Sequence, residues 1–391
     1  MFITHHNMIN SSNRSDILVF NCYLCHVRFL SICYVCSTKI GENSDISKCF
    51  EDIVPQALGF LKRFYAAELR LRIKSDMEDI NKIKPFIKWV GGKGQLLNQL
   101  DVLLPTDFLS WKDTTYIEPF VGGGAMLFYM LKNYSNIKRA IINDINPDLI
   151  TCYKVVRDSP KELIDALEIL EAQYLSIKTE AEQREFFLNI RTEYNCKQLR
   201  PIDNSSRFIF LNRTCFNGLY RVNKSGSFNV PFGKYKNPKI CDTETILNDS
   251  KILQHVEILN GDFEETFSYA TGKTLFYFDP PYRPLSSTSS FNDYTKETFN
   301  DTAQVRLKLF CDRINKAGYS FMLSNSDGKG KNYNDNFFDT LYEDYKIERV
   351  WASRSINANP NKRGKLTEIL VHNYPTNKKY SFFNNNNFNQ A

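Results

Sequence analysis

The segment Thr115-Tyr-Ile-Glu-Pro-Phe-Val-Gly-Gly-Gly-Ala-Met-Leu-Phe-Tyr-Met-Leu131, continued by Arg139-Ala-Ile-Ile-Asn-Asp144, decides the fold of this chain. Residues 115–121 read as a strand, Gly122 to Gly124 as a tight turn, residues 125–131 as a helix and residues 139–143 as a second strand. The second strand ends in Asp144-Ile-Asn-Pro147. An acid about twenty residues past a glycine turn, at a strand end, is how a nucleoside-binding α/β unit bonds ribose hydroxyls. Gly122 and Gly124 then give the close backbone approach and Asp144 the ribose bond; a structural acid closing the strand is the alternative. The glycines lack the full dinucleotide fingerprint, which argues against NAD.

Further strands are expected at residues 256–259, 274–278, 319–323, 347–351 and 366–372, making seven with the first two. Strands alternating with helices fit a doubly wound α/β sheet with ligands at the strand carboxyl ends. Asp262 and Phe263, just past the third strand, are candidates to meet a cofactor's adenine by hydrogen bond and stacking. Packing at the strand end is the competing reading. Upstream, Lys84-Pro-Phe-Ile-Lys-Trp-Val-Gly-Gly-Lys-Gly-Gln95 is a glycine loop opening a short helix over 95–104, stopped by Pro105. Such a loop presents backbone N–H groups to an anion; Lys93 adds a cation and Trp89 an aromatic wall.

The run Thr274-Leu-Phe-Tyr-Phe278 leads into Asp279-Pro-Pro-Tyr282. Two prolines fix φ and supply no N–H, so carbonyls and the Asp279 carboxylate remain as acceptors, and Tyr282 adds a ring for stacking. An amine conjugated to a nucleobase is a poor nucleophile because its lone pair is delocalised. Acceptors that take both of its N–H bonds draw the nitrogen toward a tetrahedral, reactive state. For these four residues alone, a proline-rich turn would be the simpler reading.

The chain of 391 residues, 42% hydrophobic and 14% aromatic, has material for one large or two ordinary domains. A formal charge of +6 permits a nucleic-acid partner without requiring one. Five of the ten cysteines lie in the first 49 residues, as Cys22-Tyr-Leu-Cys25 and Cys33-Tyr-Val-Cys36 with one more. The seven mostly apolar residues between the pairs are fewer than a zinc ribbon uses, so no metal is assigned. Residues 17–36 are apolar, but Asn21, His26 and Arg28 in their middle argue against a membrane span, an arginine there costing ~3 kcal/mol. No secretory signal is evident. Residues 1–76 carry no motif, and are expected to be either a spurious extension upstream of Met77 or a lineage-specific appendage.

Taken in order, Phe-Ile-Lys-Trp-Val-Gly-Gly-Lys93, Glu118-Pro-Phe-Val-Gly-Gly-Gly124, Asp144-Ile-Asn-Pro147, Phe210-Leu-Asn-Arg-Thr-Cys-Phe-Asn-Gly-Leu-Tyr-Arg221 with its continuation to Gly233, and Asp279-Pro-Pro-Tyr282 closely resemble the Dam-type (D12 class, alpha group) DNA adenine-N6 methyltransferases. The likeness covers residues 84–374. It implies an S-adenosylmethionine-dependent enzyme with a Rossmann-like seven-stranded catalytic sheet and an inserted, mainly helical DNA-recognition domain carrying a β-hairpin. The expected division is 1–76 extension, 77–150 cofactor-binding part, 151–250 target recognition, 251–374 the second catalytic part and 375–391 an Asn-rich tail.

By the same resemblance Trp89, Lys93, Asp144 and Asp279 line the cofactor pocket. Asp279 and the Pro280 carbonyl, within the turn that includes Pro281, serve the target amine, and Tyr282 stacks on the adenine. Lys88, Asn217, Leu219, Arg221 and Pro231 are implied base-reading or groove positions, with Phe216 a candidate wedge. Residues 212–239 hold six basic residues and no acid, and Lys224-Ser-Gly-Ser227 reads as the turn of a hairpin entering a groove. A second basic run, 353–365, is expected on phosphate, and residues 286–290 are expected to close over a flipped base. Expected partners are double-stranded DNA and a cognate restriction endonuclease, in the cytoplasm and away from membranes; GATC is the suggested site. Rival readings are cytosine-N4, RNA or protein amine methylation, and a DNA-binding relative that has lost catalysis.

Overall fold

The computed structural model describes residues 83–89, 91–283, 299–330, 332, 334–353 and 365–376. The cysteine pairs, the apolar run 17–36, Met77, residues 286–290, residues 354–364 of the second basic run and the Asn-rich end fall outside the described residues.

Seven strands, β1 (Thr114–Glu118), β2 (Ile137–Asp144), β3 (Val256–Asn260), β4 (Thr274–Phe278), β5 (Ser320–Ser326), β6 (Lys346–Ser353) and β7 (Lys365–His372), form one sheet in the order β3-β2-β1-β4-β5-β7-β6. The pairs β1/β2, β1/β4, β2/β3 and β4/β5 are parallel, while β7 runs antiparallel to both β5 and β6. Every residue of β1 and of β4 is buried, as strands covered on both faces must be. The strand expected over 115–121 stops at Glu118, because Pro119 has no N–H to continue the ladder.

Alternation along the strands divides the interior into a core on each face of the sheet. Tyr116, Ala140, Ile142, Leu275, Tyr277 and Met322 face one core, and Ile117, Ile141, Phe276, Phe278, Phe321 and Leu323 the other. Full burial of one such Phe contributes ~1.5–3 kcal/mol. The described residues form nine helices: α1 (Leu97–Asp101), α2 (Ala125–Asn133), α3 (Pro147–Asp158), α4 (Pro160–Ser176), α5 (Glu180–Asn195), α6 (Pro201–Thr214), α7 (Thr243–Leu253), α8 (Asp301–Lys316) and α9 (Phe337–Leu341). The helix expected over 95–104 is broken: a 3₁₀ turn, Lys93–Gln95, precedes α1. Helices α2 and α3 supply the first core, α8 and α9 the second.

The chain leaves β1 toward β2 and β3 on one side and β4 toward β5 on the other. The reversal of strand order between β1 and β4 opens a crevice at their carboxyl ends, where open α/β sheets bind ligands. Helices α3 to α7 are inserted between β2 and β3. After α6 the basic segment folds back on itself. The expected hairpin is held by isolated antiparallel bridges, Cys215 to Phe232 and Val222 to Phe228, and not by a continuous ladder. An aromatic cluster packs beside the backbone hydrogen bonds that cross it: Tyr220 packs on Phe208 at 5.3 Å and on Phe228 at 5.9 Å between ring centroids. Such pairs add ~0.5–1.5 kcal/mol each beyond area burial.

Candidate active site

Strand β4 delivers Asp279 to the mouth of the crevice, and the two prolines after it end the ladder. The Lys93 amine, 2% exposed, donates to Asp279 Oδ1 at 2.6 Å and to the Gly91 carbonyl at 3.2 Å. Ser324 Oγ on β5 reaches the same Oδ1 at 3.5 Å. Burial pushes the Asp279 carboxyl above its usual range, while the Lys93 charge and these hydrogen bonds pull it back. With Oδ1 engaged on both sides, Oδ2 is the acceptor the turn can offer to a ligand.

Tyr282 lies beside the same amine, its ring centroid 4.5 Å from Lys93 Nζ, and its hydroxyl donates to Glu368 Oε2 at 2.6 Å. Glu368 is also 3.8 Å from the Lys93 amine. Burial, then the Asp279 and Glu368 charges, push the Tyr282 phenol well above its ordinary value, which keeps it a donor. Gln304 on α8 is wholly buried; its amide donates to the Pro281 carbonyl at 3.3 Å and accepts from Asn325 at 3.1 Å. The second proline's carbonyl is thereby occupied. Sequence reasoning missed both Glu368 and Gln304. Each had a signal: an acid inside the apolar run of β7, and a glutamine on the core-facing stripe of α8 shared with Leu307 and Cys311.

The glycine turn and Asp144 meet. Asp144 Oδ2 accepts from the Gly122 N–H at 3.1 Å and Oδ1 from the Asn146 N–H at 2.9 Å. Asn146 then caps α3 by accepting from the N–H groups of Asp148 and Leu149, with Pro147 at the first helical position. Burial raises the Asp144 carboxyl to about 6, against the pull of these backbone donors. Gly122 and Gly124 have φ of 49° and 73°. A Cβ at Gly122 would stand 2.9 Å from the Trp89 ring, and one at Gly124 2.5 Å from the Tyr153 hydroxyl. Trp89 therefore packs on the glycine turn and stacks on Tyr220 at 5.5 Å. Beneath the turn, buried Glu118 accepts from the Tyr116 hydroxyl at 2.9 Å, and burial drives its carboxyl well above the usual range.

Asp262 and Phe263 lie just past β3. Asp262 caps the 3₁₀ turn Phe263–Tyr269 and takes both terminal nitrogens of Arg306, at 2.6 and 2.9 Å. Phe263 is buried against Phe120 and Phe310.

A second group of candidates lies on the hairpin. Phe216 is 50% exposed, Asn217 is exposed with φ 55°, Pro231 is exposed, and Leu219 is half-buried. Arg221 is tethered across the hairpin, its Nε donating to Asn229 Oδ1 at 2.8 Å. The Lys88 backbone exchanges hydrogen bonds with the Asn212 amide, each 2.8 Å. A Cβ at Gly218 would stand 2.7 Å from the Lys88 stem. Consecutive residues Lys88 and Trp89 thus touch the hairpin and the glycine turn respectively. A cleft of about 350 Å³ is lined by Lys88, Arg213, Tyr235, Lys236 and Lys239 among others. Burial, then the neighbouring Arg213 charge, lower the Lys88 amine below its ordinary value, while Lys239 in the same lining is paired with Asp242 at 2.7 Å. Lys234 is exposed and pairs with Glu180 at 2.7 Å. Among the described residues no cluster of His, Cys, Asp and Glu could hold a metal, and no helix is long and apolar enough to cross a membrane.

Residues 89–356 match the family described as D12 class N6 adenine-specific DNA methyltransferase. Type II methyltransferase M.MjaIII of Methanocaldococcus jannaschii is 47% identical over 299 residues, covering 75% of this chain and 100% of that protein. Type II methyltransferase M1.LlaDCHI of Lactococcus lactis subsp. cremoris is 38% identical over 301 residues, covering 75% and 97%. The DNA adenine methylase of Haemophilus influenzae is 33% identical over 299 residues, covering 76% and 96%. The chain belongs to the D12 class of N6 adenine-specific DNA methyltransferases, and its enzymatic class is therefore DNA adenine methylation. The cytosine-N4, RNA and protein readings are set aside by that membership.

Proposed function

We propose that this D12-class enzyme transfers a methyl group from S-adenosylmethionine to the N6 amine of an adenine flipped out of duplex DNA at a specific sequence, with GATC the site to test first. The observation that carries the reading is the Lys93–Asp279 pair at the mouth of the β1/β4 crevice, with Tyr282 beside it. The donor set fits the cofactor. Asp144 is a half-buried carboxylate at the end of β2 suited to ribose hydroxyls, and Lys93 with the 91–94 loop suits an α-carboxylate. A Cβ at Gly91 or Gly94 would meet nothing within 4 Å, so this loop faces open space. When bound, the cofactor supplies an already activated methyl group.

The protein's own work is alignment and polarisation. Asp279 Oδ2 and the Pro280 carbonyl take the two N–H bonds of the target amine, and Tyr282 stacks on the base. Gln304 occupies the Pro281 carbonyl, which leaves Pro280 as the carbonyl that meets the amine. The amine's extra proton leaves after transfer, so no strong base is required. The base must be flipped because its amine faces thymine in the duplex. Residues 151–250 serve as the recognition part, with Lys88, Asn217, Leu219, Arg221 and Pro231 toward base edges and Phe216 as wedge. The cleft lined by Lys88, Arg213 and Lys236 suits phosphate. A cognate endonuclease is the proposed genetic partner, in line with the Type II names of two relatives. Sequencing methylated adenines in DNA from cells expressing this chain tests the reading: one recurrent motif supports it, and unmodified adenine contradicts it.

A further inference from the structure

We propose that Glu368 is a positioning residue for methyl transfer, holding the Tyr282 ring at the angle from which it stacks on the target base. The inference rests on the stacking role given to Tyr282 above. The prolines before Tyr282 fix the backbone but leave its side-chain torsions free, so something else must set the ring. The described contacts that set it are the Glu368 carboxylate on its hydroxyl at 2.6 Å and the Lys93 amine 4.5 Å from its centroid.

Glu368 is placed to act as a fixed post. It lies on β7, an interior strand, in register with Ser326 of β5 and Val350 of β6, and is followed by Ile369, Leu370 and Val371, each at most 1% exposed. A carboxylate beside such a core is costly unless partnered. Its described partners, Tyr282 and Lys93, both belong to the candidate active site. The register of an interior strand shifts little when a ligand arrives, so a hydroxyl bonded to it keeps the ring in place before the base enters. A charge-assisted bond is stronger than a neutral one, which suits an aromatic platform that must not swing.

The test is a double-mutant cycle on the full chain. It reads kcat, the KM for duplex DNA carrying the mapped site, and fluorescence of 2-aminopurine placed at the target position. Glu368→Ala should lower kcat about tenfold, the scale of one lost charge-assisted hydrogen bond, with KM for DNA nearly unmoved. Tyr282→Phe should give a similar loss, and the double variant should be no worse than the worse single one. Glu368→Gln should recover most of the loss, because its amide oxygen still accepts the phenol. The 2-aminopurine signal should change in Glu368→Ala and Tyr282→Phe alike. Wild-type kcat in Glu368→Ala, or losses that multiply in the double variant, would overturn the proposal; multiplying losses would mean that Glu368 acts through Lys93. If Glu368→Ala does not fold, Tyr282→Phe decides alone, and wild-type turnover there overturns it. Tyr282→Ala separates the two readings: full activity defeats base stacking itself, whereas an inactive Tyr282→Ala beside a wild-type Glu368→Ala defeats only the role of Glu368.

Discussion

Lys93 and Asp279 stand 186 positions apart in the chain, yet the amine of one donates to the carboxylate of the other at 2.6 Å. The contact ties the loop before β1 to the turn after β4 at the point where the strand order reverses. It also engages Asp279 Oδ1 and opposes the upward push that burial gives this carboxyl.

Removing the cation should therefore expose the cost of that burial. Lys93 lowers the Asp279 pKa, so in Lys93→Met the carboxyl titrates at higher pH than in the parent. Transfer needs the ionised acceptor, which puts the acidic limb of the kcat profile at higher pH in the variant. Single-turnover rates across pH check this, and an unmoved limb would uncouple Lys93 from Asp279.

Asp144 gives a separate pH dependence. Its carboxyl is raised to about 6 by burial. A folded pKa above the unfolded value near 3.9 means the folded state holds the proton more tightly, so this group's contribution to stability is greatest at low pH and is lost as pH rises through about 6. Ribose bonding needs the ionised form. Cofactor affinity should thus fall as pH drops below about 6, and Asp144→Asn should bind more weakly at neutral pH and lack the inflection. Calorimetric titration of S-adenosylmethionine at a series of pH values provides the measurement.

Gly218 should tolerate no side chain. Its φ is 63° and a Cβ would press the Lys88 stem at 2.7 Å. The backbone strain alone costs ~1–2 kcal/mol. Gly218→Ala should displace Lys88, weaken binding of the specific duplex and lower the melting temperature. Cofactor affinity should remain that of the parent, a split that binding assays on both ligands would show.

Arg221 and Lys234 should differ in kind. An arginine reading guanine in the major groove discriminates by ~1–3 kcal/mol, whereas a lysine on phosphate supports every sequence equally. Arg221→Ala is expected to relax specificity at one guanine-containing pair. Asn229→Ala, which removes the tether on the Arg221 Nε, should do so more weakly. Lys234→Ala should weaken binding evenly, by a small amount because Lys234 is an exposed residue already paired with Glu180. Methylation rates on single-base variants of the mapped site distinguish them; one common factor for Arg221→Ala would make it a phosphate clamp.

What was legible in the sequence was what is local. The β1 strand, the glycine turn, the acid of Asp144 and the Asn146-Pro147 helix start are written within one short stretch, and each has a stereochemical reason to be there. The Asp279-Pro-Pro-Tyr282 turn is equally compact. Pairings across the fold were not legible: nothing near Lys93 names Asp279, and nothing near Tyr282 names Glu368. Gln304 was hidden for the same reason, since its partner carbonyl lies on another element. The hairpin was legible as a turn in a basic run. The aromatic packing on Tyr220 that joins its isolated bridges has no period to read.

The central claim is that Asp279 carries the chemistry while DNA affinity resides elsewhere, largely in phosphate contacts. The most direct measurement is methyl incorporation from labelled S-adenosylmethionine into duplex DNA by Asp279→Ala, with DNA binding measured on the same preparation. Transfer should be abolished while duplex binding stays close to that of the parent. Turnover near the parent's rate with intact binding would contradict the account.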